Sequence, residues 1–161
     1  MLNDFDAEAY IVKQLEGYTG CTMVLSNQSG PVPEYPYLSY TITTPVHAMG
    51  GTYGLRDGIY MQPMQQTWSI TAHGEDSRKC QRLGMRVYDF FARAGRQLLF
   101  SRNIAVASFS DLTSRDNYLT IQQEYRCGMD VTFRMLHQLE VAEGSISQME
   151  ICRTKIEKEK L

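Results

Sequence analysis

Glu124-Tyr-Arg-Cys-Gly-Met-Asp-Val-Thr-Phe-Arg134 is the segment whose reading decides the fold. Tyr125, Cys127, Met129, Val131, Phe133 and the next apolar residue, Met135, alternate with Glu124, Arg126, Gly128, Asp130, Thr132 and Arg134. The alternation never loses phase, which is the period of a strand with one buried face. Gly128 suggests a hairpin, but a two-residue turn would reverse side-chain parity, and parity holds. One long strand with a bend or bulge at Gly128 fits the pattern. A three-residue turn would also keep parity and stays open. The polar side of this strand carries charges of alternating sign.

Working outward, Met64 to Ala72 is a second strand. Trp68, Ile70 and Ala72 point one way; Gln65, Thr67, Ser69 and Thr71 point the other. Pro63 suggests an edge or a bulge near its start. Gly74-Glu-Asp-Ser77 then opens the main helix, with Asp76 or Ser77 as N-cap. Cys80, Leu83, Gly84, Val87, Phe90, Phe91 and Ala94 recur at helical spacing on its buried side. Arg78, Arg82, Arg86, Asp89 and Arg93 line the outer side, and Gly95 ends the helix. The N-terminal region reads as a helix from Asp4 to about Glu16, stopped by Gly17, with Phe5, Ala9, Ile11, Val12 and Leu15 as its apolar stripe.

Cys21–Leu25 is a short strand candidate, and residues 26–34 a Pro/Gly loop. Tyr35–Thr44 reads as a strand. Residues 44–58 read as a long exposed loop. Ile104–Phe109 is a short strand, and residues 110–117 a polar connection. Leu119 and Ile121 lead into the long strand, which fades around residues 137–141. Gly144-Ser145 turns the chain toward a last short strand with Ile146, Met149 and Ile151. The mixed-charge stretch at about 155–161 reads as a flexible tail. The sum is α+β: one domain over 1–161, a mainly antiparallel sheet, and an N-terminal helix and one main helix packed on it.

The totals narrow the function. With 161 residues there is room for one real core. The formal net charge is −2, so tight electrostatic binding to DNA or RNA is not expected. No apolar run is long enough to span a bilayer. The N-terminus lacks the basic and apolar regions of a signal peptide. Cys21, Cys80, Cys127 and Cys152 form no CxxC pair, so reduced thiols in a cytosolic setting are expected.

Catalytic and metal signatures do not emerge. His47, His73 and His137 sit in no ligand spacing. His73 lies at a strand–helix junction, where a surface or capping role competes with catalysis. Gly50-Gly-Thr-Tyr-Gly54 lacks the GK[ST] of a phosphate loop, and there is no GxSxG. Cys80 is placed for packing. The reading is no enzyme, no cofactor and no metal. The arginines of the main helix could touch phosphates or a partner, or form a solvated face. Glu124, Arg126, Asp130 and Arg134, alternating in sign, are the candidate subunit interface, against the alternative of a plain exposed sheet face.

Several segments together resemble one family. They are the Tyr35-Pro-Tyr-Leu-Ser-Tyr-Thr strand with its glycine-rich loop, and Gln66-Thr-Trp-Ser-Ile-Thr-Ala-His-Gly-Glu-Asp followed by Cys80-Gln-Arg-Leu. Phe90-Phe91 with Gly95-Arg96 follows, then Arg115-Asp-Asn-Tyr118 leading into residues 124–134. Their order and spacing, from about Tyr35 to Met135, are similar to the neck or tail terminator proteins of long-tailed phages and related prophages. Gly128-Met-Asp-Val131 stands where Gly-Phe-Asp-Val is expected, a conservative change for a buried position.

The resemblance implies a structural virion protein that forms a ring, usually a hexamer, on the head-proximal end of the tail tube. The ring would end tube polymerisation and meet the head connector or head-completion protein. Its partners would be other copies of itself, the tail tube protein and that connector. DNA would pass through its lumen without specific binding, and no membrane is involved. Assembly would occur in the host cytoplasm and the product reside in the virion neck. Another head–tail connector or minor tail component, a small-ligand-binding α+β domain and an unrecognised enzyme remain alternatives. A deep apolar cavity with convergent polar groups would favour the ligand-binding reading.

Overall fold

A computed structural model describes residues 4–50, 54–116 and 124–140. The element order is α1 (Asp4–Thr19), β1 (Met23–Leu25), β2 (Tyr37–Ala48), β3 (Gly54–Arg56), β4 (Ile59–Gly74), α2 (Ser77–Asp89), a π-helical turn (Phe90–Ala94), α3 (Arg96–Phe100), β5 (Ala105–Phe109), β6 (Thr113–Ser114) and β7 (Tyr125–Glu140). The expected α+β class holds.

The long strand is β7, and it does not turn at Gly128. Its ladder with β4 runs without a register shift from Ile59↔Glu140 to Gly74↔Tyr125. The expected bend or bulge at Gly128 is therefore absent from this ladder. Close packing explains the glycine instead. A Cβ there would lie 2.6 Å from the Ile70 carbonyl oxygen and 2.8 Å from Arg115 Nη1.

The sheet order is β1-β2-β4-β7-β5, with β3 pairing β4 and β6 pairing β7. β1 joins β2 in parallel; every other pairing is antiparallel. β4 and β7 are thus both internal. Pro63 lies in β4 just beyond its last pair with β2, Ala48↔Met64, and the expected irregularity is close by, a register shift between Thr44↔Thr67 and His47↔Gln65. The Pro63 carbonyl accepts from Met49 N–H, so the proline's missing donor faces the β2 side just where β2 ends.

The apolar face of β4 and β7 packs under α1, α2 and the segments that follow. Trp68 is fully buried, stacked on Tyr40 and edge-on to Phe133. Gln66 interrupts the apolar alternation but is satisfied, accepting from Trp68 Nε1–H and donating to the Pro45 carbonyl. Burial of this face ends at Met64 and Met135. Past that point β3, β4 and β7 continue as a ladder that supplies no core residue among those described.

Several local expectations are corrected. Gly17 lies within α1; the helix stops at Gly20, whose φ of 73° is the left-handed C-terminal conformation. The buried stripe of α1 is Ala7, Ile11, Leu15 and Thr19, spaced by four, while Ala9 is exposed. Gly95 does not end the helical run. It has right-handed dihedrals and accommodates the Phe90 ring, and its N–H donates to the Phe90 carbonyl, a five-residue step. That extra residue moves the buried phase from Phe91 to Gly95 and Leu99, leaving Ala94 exposed.

The described part of the 44–58 region is largely strand. β2 continues through Pro45 with two register shifts, and Asp57-Gly58, both at positive φ, close the β3–β4 hairpin. Asp76 is the N-cap of α2, accepting from the N–H groups of Arg78 and Lys79. Leu119, Ile121, the Gly144-Ser145 turn, the proposed last strand and the charged tail lie outside the described residues.

Candidate functional site

The helices cover one face of the sheet and leave the other polar. Register places Ser39 opposite Thr71, Tyr37 opposite His73, His73 opposite Arg126, Ser69 opposite Asp130 and Gln65 opposite Arg134. These are the off-phase positions of β2, β4 and β7, so period-2 alternation alone collects them on one surface.

At one end of this face lies a buried polar chain. Ser39 Oγ and His73 Nε2 are 2.8 Å apart, and His73 Nδ1 and Glu124 Oε1 are 2.7 Å apart. Glu124 also takes the guanidinium of Arg126 on its second oxygen and the Tyr35 hydroxyl on its first. The Tyr37 ring stacks flat on His73. Burial pushes the His73 imidazole below its ordinary range, against the pull of Glu124. Burial alone would raise the Glu124 carboxyl, but hydrogen bonds from Arg126 and His73 hold it below the usual range. A carboxylate only accepts, so Nδ1 carries the imidazole proton; in the neutral ring Nε2 then accepts from the Ser39 hydroxyl.

The order hydroxyl, imidazole, carboxylate has the connectivity of a nucleophile, base and orienting acid. Acyl transfer also needs donors aimed at a developing oxyanion. Ser39 sits mid-strand between β1 and β4, where backbone N–H groups belong to ladders. The nearby guanidinium groups are engaged too: Arg126 by Glu124, and Arg115 by Ser69, Thr71 and Asp130. The chain of bonds ties β2 and β4 to the residue that leads into β7. Above it lies an open cavity of about 390 Å³, roofed by the 26–33 loop and floored by Ser39, Thr71, His73, Arg115 and Arg126. This polar floor differs from the deep apolar cavity that a small-ligand domain would present.

The four residues expected at a subunit interface divide into two pairs. Glu124 and Arg126 bind each other and the His73 cluster. Asp130 and Arg134 stand farther along β7 on the same face. Asp130 is held below the usual carboxylate range by the Ser69 hydroxyl and by Arg115, whose Nη2 is 2.9 Å away, yet its side chain is half exposed. Arg134 is exposed, and no hydrogen bond or ion pair ties its side chain to another described residue. β7 itself offers no free edge along residues 127–134, since β5 and β6 occupy the side opposite β4. Only its face is open.

Sequence reading missed Ser39 and Arg115, because their partners are 34 and 46 residues away in the chain. A signal existed for Ser39: it shares a parity with Tyr37 and Thr41, opposite to that of Leu38, Tyr40 and Ile42. Arg86 also departs from a plain solvated stripe. Its guanidinium donates to the Tyr18 carbonyl and lies over the Tyr18 ring, fastening α2 to α1.

Among the described residues no group of three or more His, Cys, Asp or Glu could hold a metal ion. No helix there is long and apolar enough to cross a membrane. The sequence profile of the phage neck terminator protein family matches residues 9–158. No curated protein matches the chain.

Proposed function

The chain belongs to the phage neck terminator family, a family of structural virion proteins, and from that premise we propose that it caps the head-proximal end of the tail tube as a ring. The ring ends tube polymerisation and provides the joining surface for the head connector. Its partners are further copies of itself in a closed hexamer, the tail tube protein and the head-completion protein. DNA crosses its lumen without specific binding, in keeping with a net charge of −2. Assembly takes place in the host cytoplasm.

The observation that carries this reading is a sheet larger than its own helical cover. β4 and β7 each run 16 residues, about 53 Å at the usual rise per residue, while among the described residues the buried core ends at the Met64–Met135 pair, about two-thirds of the way along β7. The uncovered ladder has Leu55 exposed on it and Val46 exposed at the adjoining end of β2. A closed ring needs two different patches per subunit that complement each other. The uncovered ladder and the polar sheet face, with Asp130 and Arg134 outermost and Glu124 and Arg126 behind them, are two such patches. Contacts weak in one subunit gain strength by repetition around the ring.

The test is deletion of the gene from its phage or prophage, followed by electron microscopy of the lysate. Overlong tubes without heads are expected, with normal tails restored by the gene supplied in trans. Tails of normal length joined to heads would overturn the terminator reading.

A further inference from the structure

Two thiols from distant parts of the chain meet beneath the main helix. Cys80, in the first turn of α2, and Cys127, on the buried face of β7, have their sulfurs 3.5 Å apart. Both are free thiols, 1% and 5% exposed. Backbone geometry builds this approach. A Cβ on Gly84 would sit 2.6 Å from Cys127 Sγ, so a glycine there lets the helix settle onto the sulfur. Cys80 Sγ also lies 3.3 Å from the carbonyl oxygens of Ala72 and Tyr125, bridging the adjacent ends of β4 and β7. Among the described residues the pair is not sealed off. Both cysteines line a cavity of about 240 Å³ between α2 and the 112–116 segment, large enough for small polar molecules.

We propose that Cys80 and Cys127 are a modification site: a dithiol that hydrogen peroxide, entering through this cavity, converts to a disulfide joining α2 to β7. Cys127 is the first nucleophile. Hydrogen bonding from Cys80 holds its thiol below the ordinary range despite burial, while the same bond and burial push the Cys80 thiol up. The Cys127 thiolate attacks one peroxide oxygen, the O–O bond breaks, and the departing hydroxide takes a proton to become water. Cys127 is then a sulfenic acid. Cys80 Sγ attacks that sulfur, the S–O bond breaks, the S–S bond forms, and a second water leaves with the Cys80 proton. One peroxide is reduced to two waters, and two thiols are oxidised to one disulfide. The sulfurs must close from 3.5 Å to about 2.05 Å.

The test treats the native full chain with hydrogen peroxide, blocks remaining thiols with N-ethylmaleimide in denaturant, and maps tryptic peptides without reduction. The expected product links the peptide Cys80–Arg82 to the peptide Cys127–Arg134 in most molecules. Cys21, half-buried and outside the cavity lining, should stay out of that link. In Cys80→Ala the link is lost and Cys127 is trapped as a sulfenic acid that reacts with dimedone; in Cys127→Ala neither product forms. Should a variant fail to fold, the wild-type map decides alone. Maleimide on both Cys80 and Cys127 after peroxide that oxidises free cysteine would overturn the proposal. So would a link that forms only after unfolding.

Discussion

At the scale of single residues, His73 is the informative group. Its folded-state pKa lies below the ordinary 6.5, so the unfolded chain binds the proton more readily. Stability from this cluster is therefore present above about pH 6.5 and lost as pH falls toward the folded value. Glu124, held below its ordinary 4.5, adds a second loss in the same direction at lower pH. The melting temperature should drop as pH is lowered from neutrality, and His73→Gln should flatten the first part of that drop. Equal slopes in the two proteins would show that the imidazole stays hydrated and uncoupled. Gly128→Ala is a second residue-scale case. Its new Cβ would meet the Ile70 carbonyl oxygen, which is part of the ladder and cannot swing aside. A loss of about 1–3 kcal/mol is expected, read from the urea midpoint. Sequence marked Gly128 as unusual but assigned it to bending, because only the fold brings Ile70 and Arg115 against it. Ser39, His73 and Glu124 are equally hard to join, since they lie in β2, in β4 and just before β7.

At the scale of elements, legibility followed the strength of local period. β7, the polar and apolar faces of β4, and the cap of α2 were readable because alternation and an N-cap are local signals. The end of α1 was misplaced because Gly17 and Gly20 compete, and only Gly20 adopts a positive φ. The 44–58 segment reads as a loop because Pro45 and four glycines break propensity. Pairing with β4 overrides that, and Asp57-Gly58 is the hairpin signal that went unused. The π-helical turn follows from bulk. Phe90 and Phe91 are adjacent and both buried, with rings edge-to-face at 5.1 Å. Gly95 yields its Cβ space to Phe90, and Phe91 reaches Phe133 on β7 at 5.6 Å. Phe91→Ala should therefore cost about 3–5 kcal/mol by chemical denaturation, since it empties the junction of helix and sheet. A cost below about 1 kcal/mol would mean that α2 and the turn collapse into the space.

At the scale of the whole molecule, charge reversal can separate folding from assembly because the charged side of β7 has two halves. Arg126 is bonded to Glu124 inside the His73 cluster, so Arg126→Glu should lower the melting temperature of the subunit itself. Arg134 is exposed, and its reversal removes no bond to another described residue. Arg134→Glu should leave the subunit's melting within about 0.5 kcal/mol of the parent, as for an ordinary surface change. If the sheet face meets a neighbouring copy, the same substitution should shift the native mass away from a closed ring, more strongly at low salt, where exposed charges are least screened. Native mass spectrometry across a concentration series, with and without tail tube protein, measures this directly. A ring that closes equally well with Arg134→Glu would take the sheet face out of the interface. The uncovered β3–β4–β7 ladder would then remain as the surface through which the subunit meets its neighbours, and substitutions at Leu55 would be the next to alter the mass.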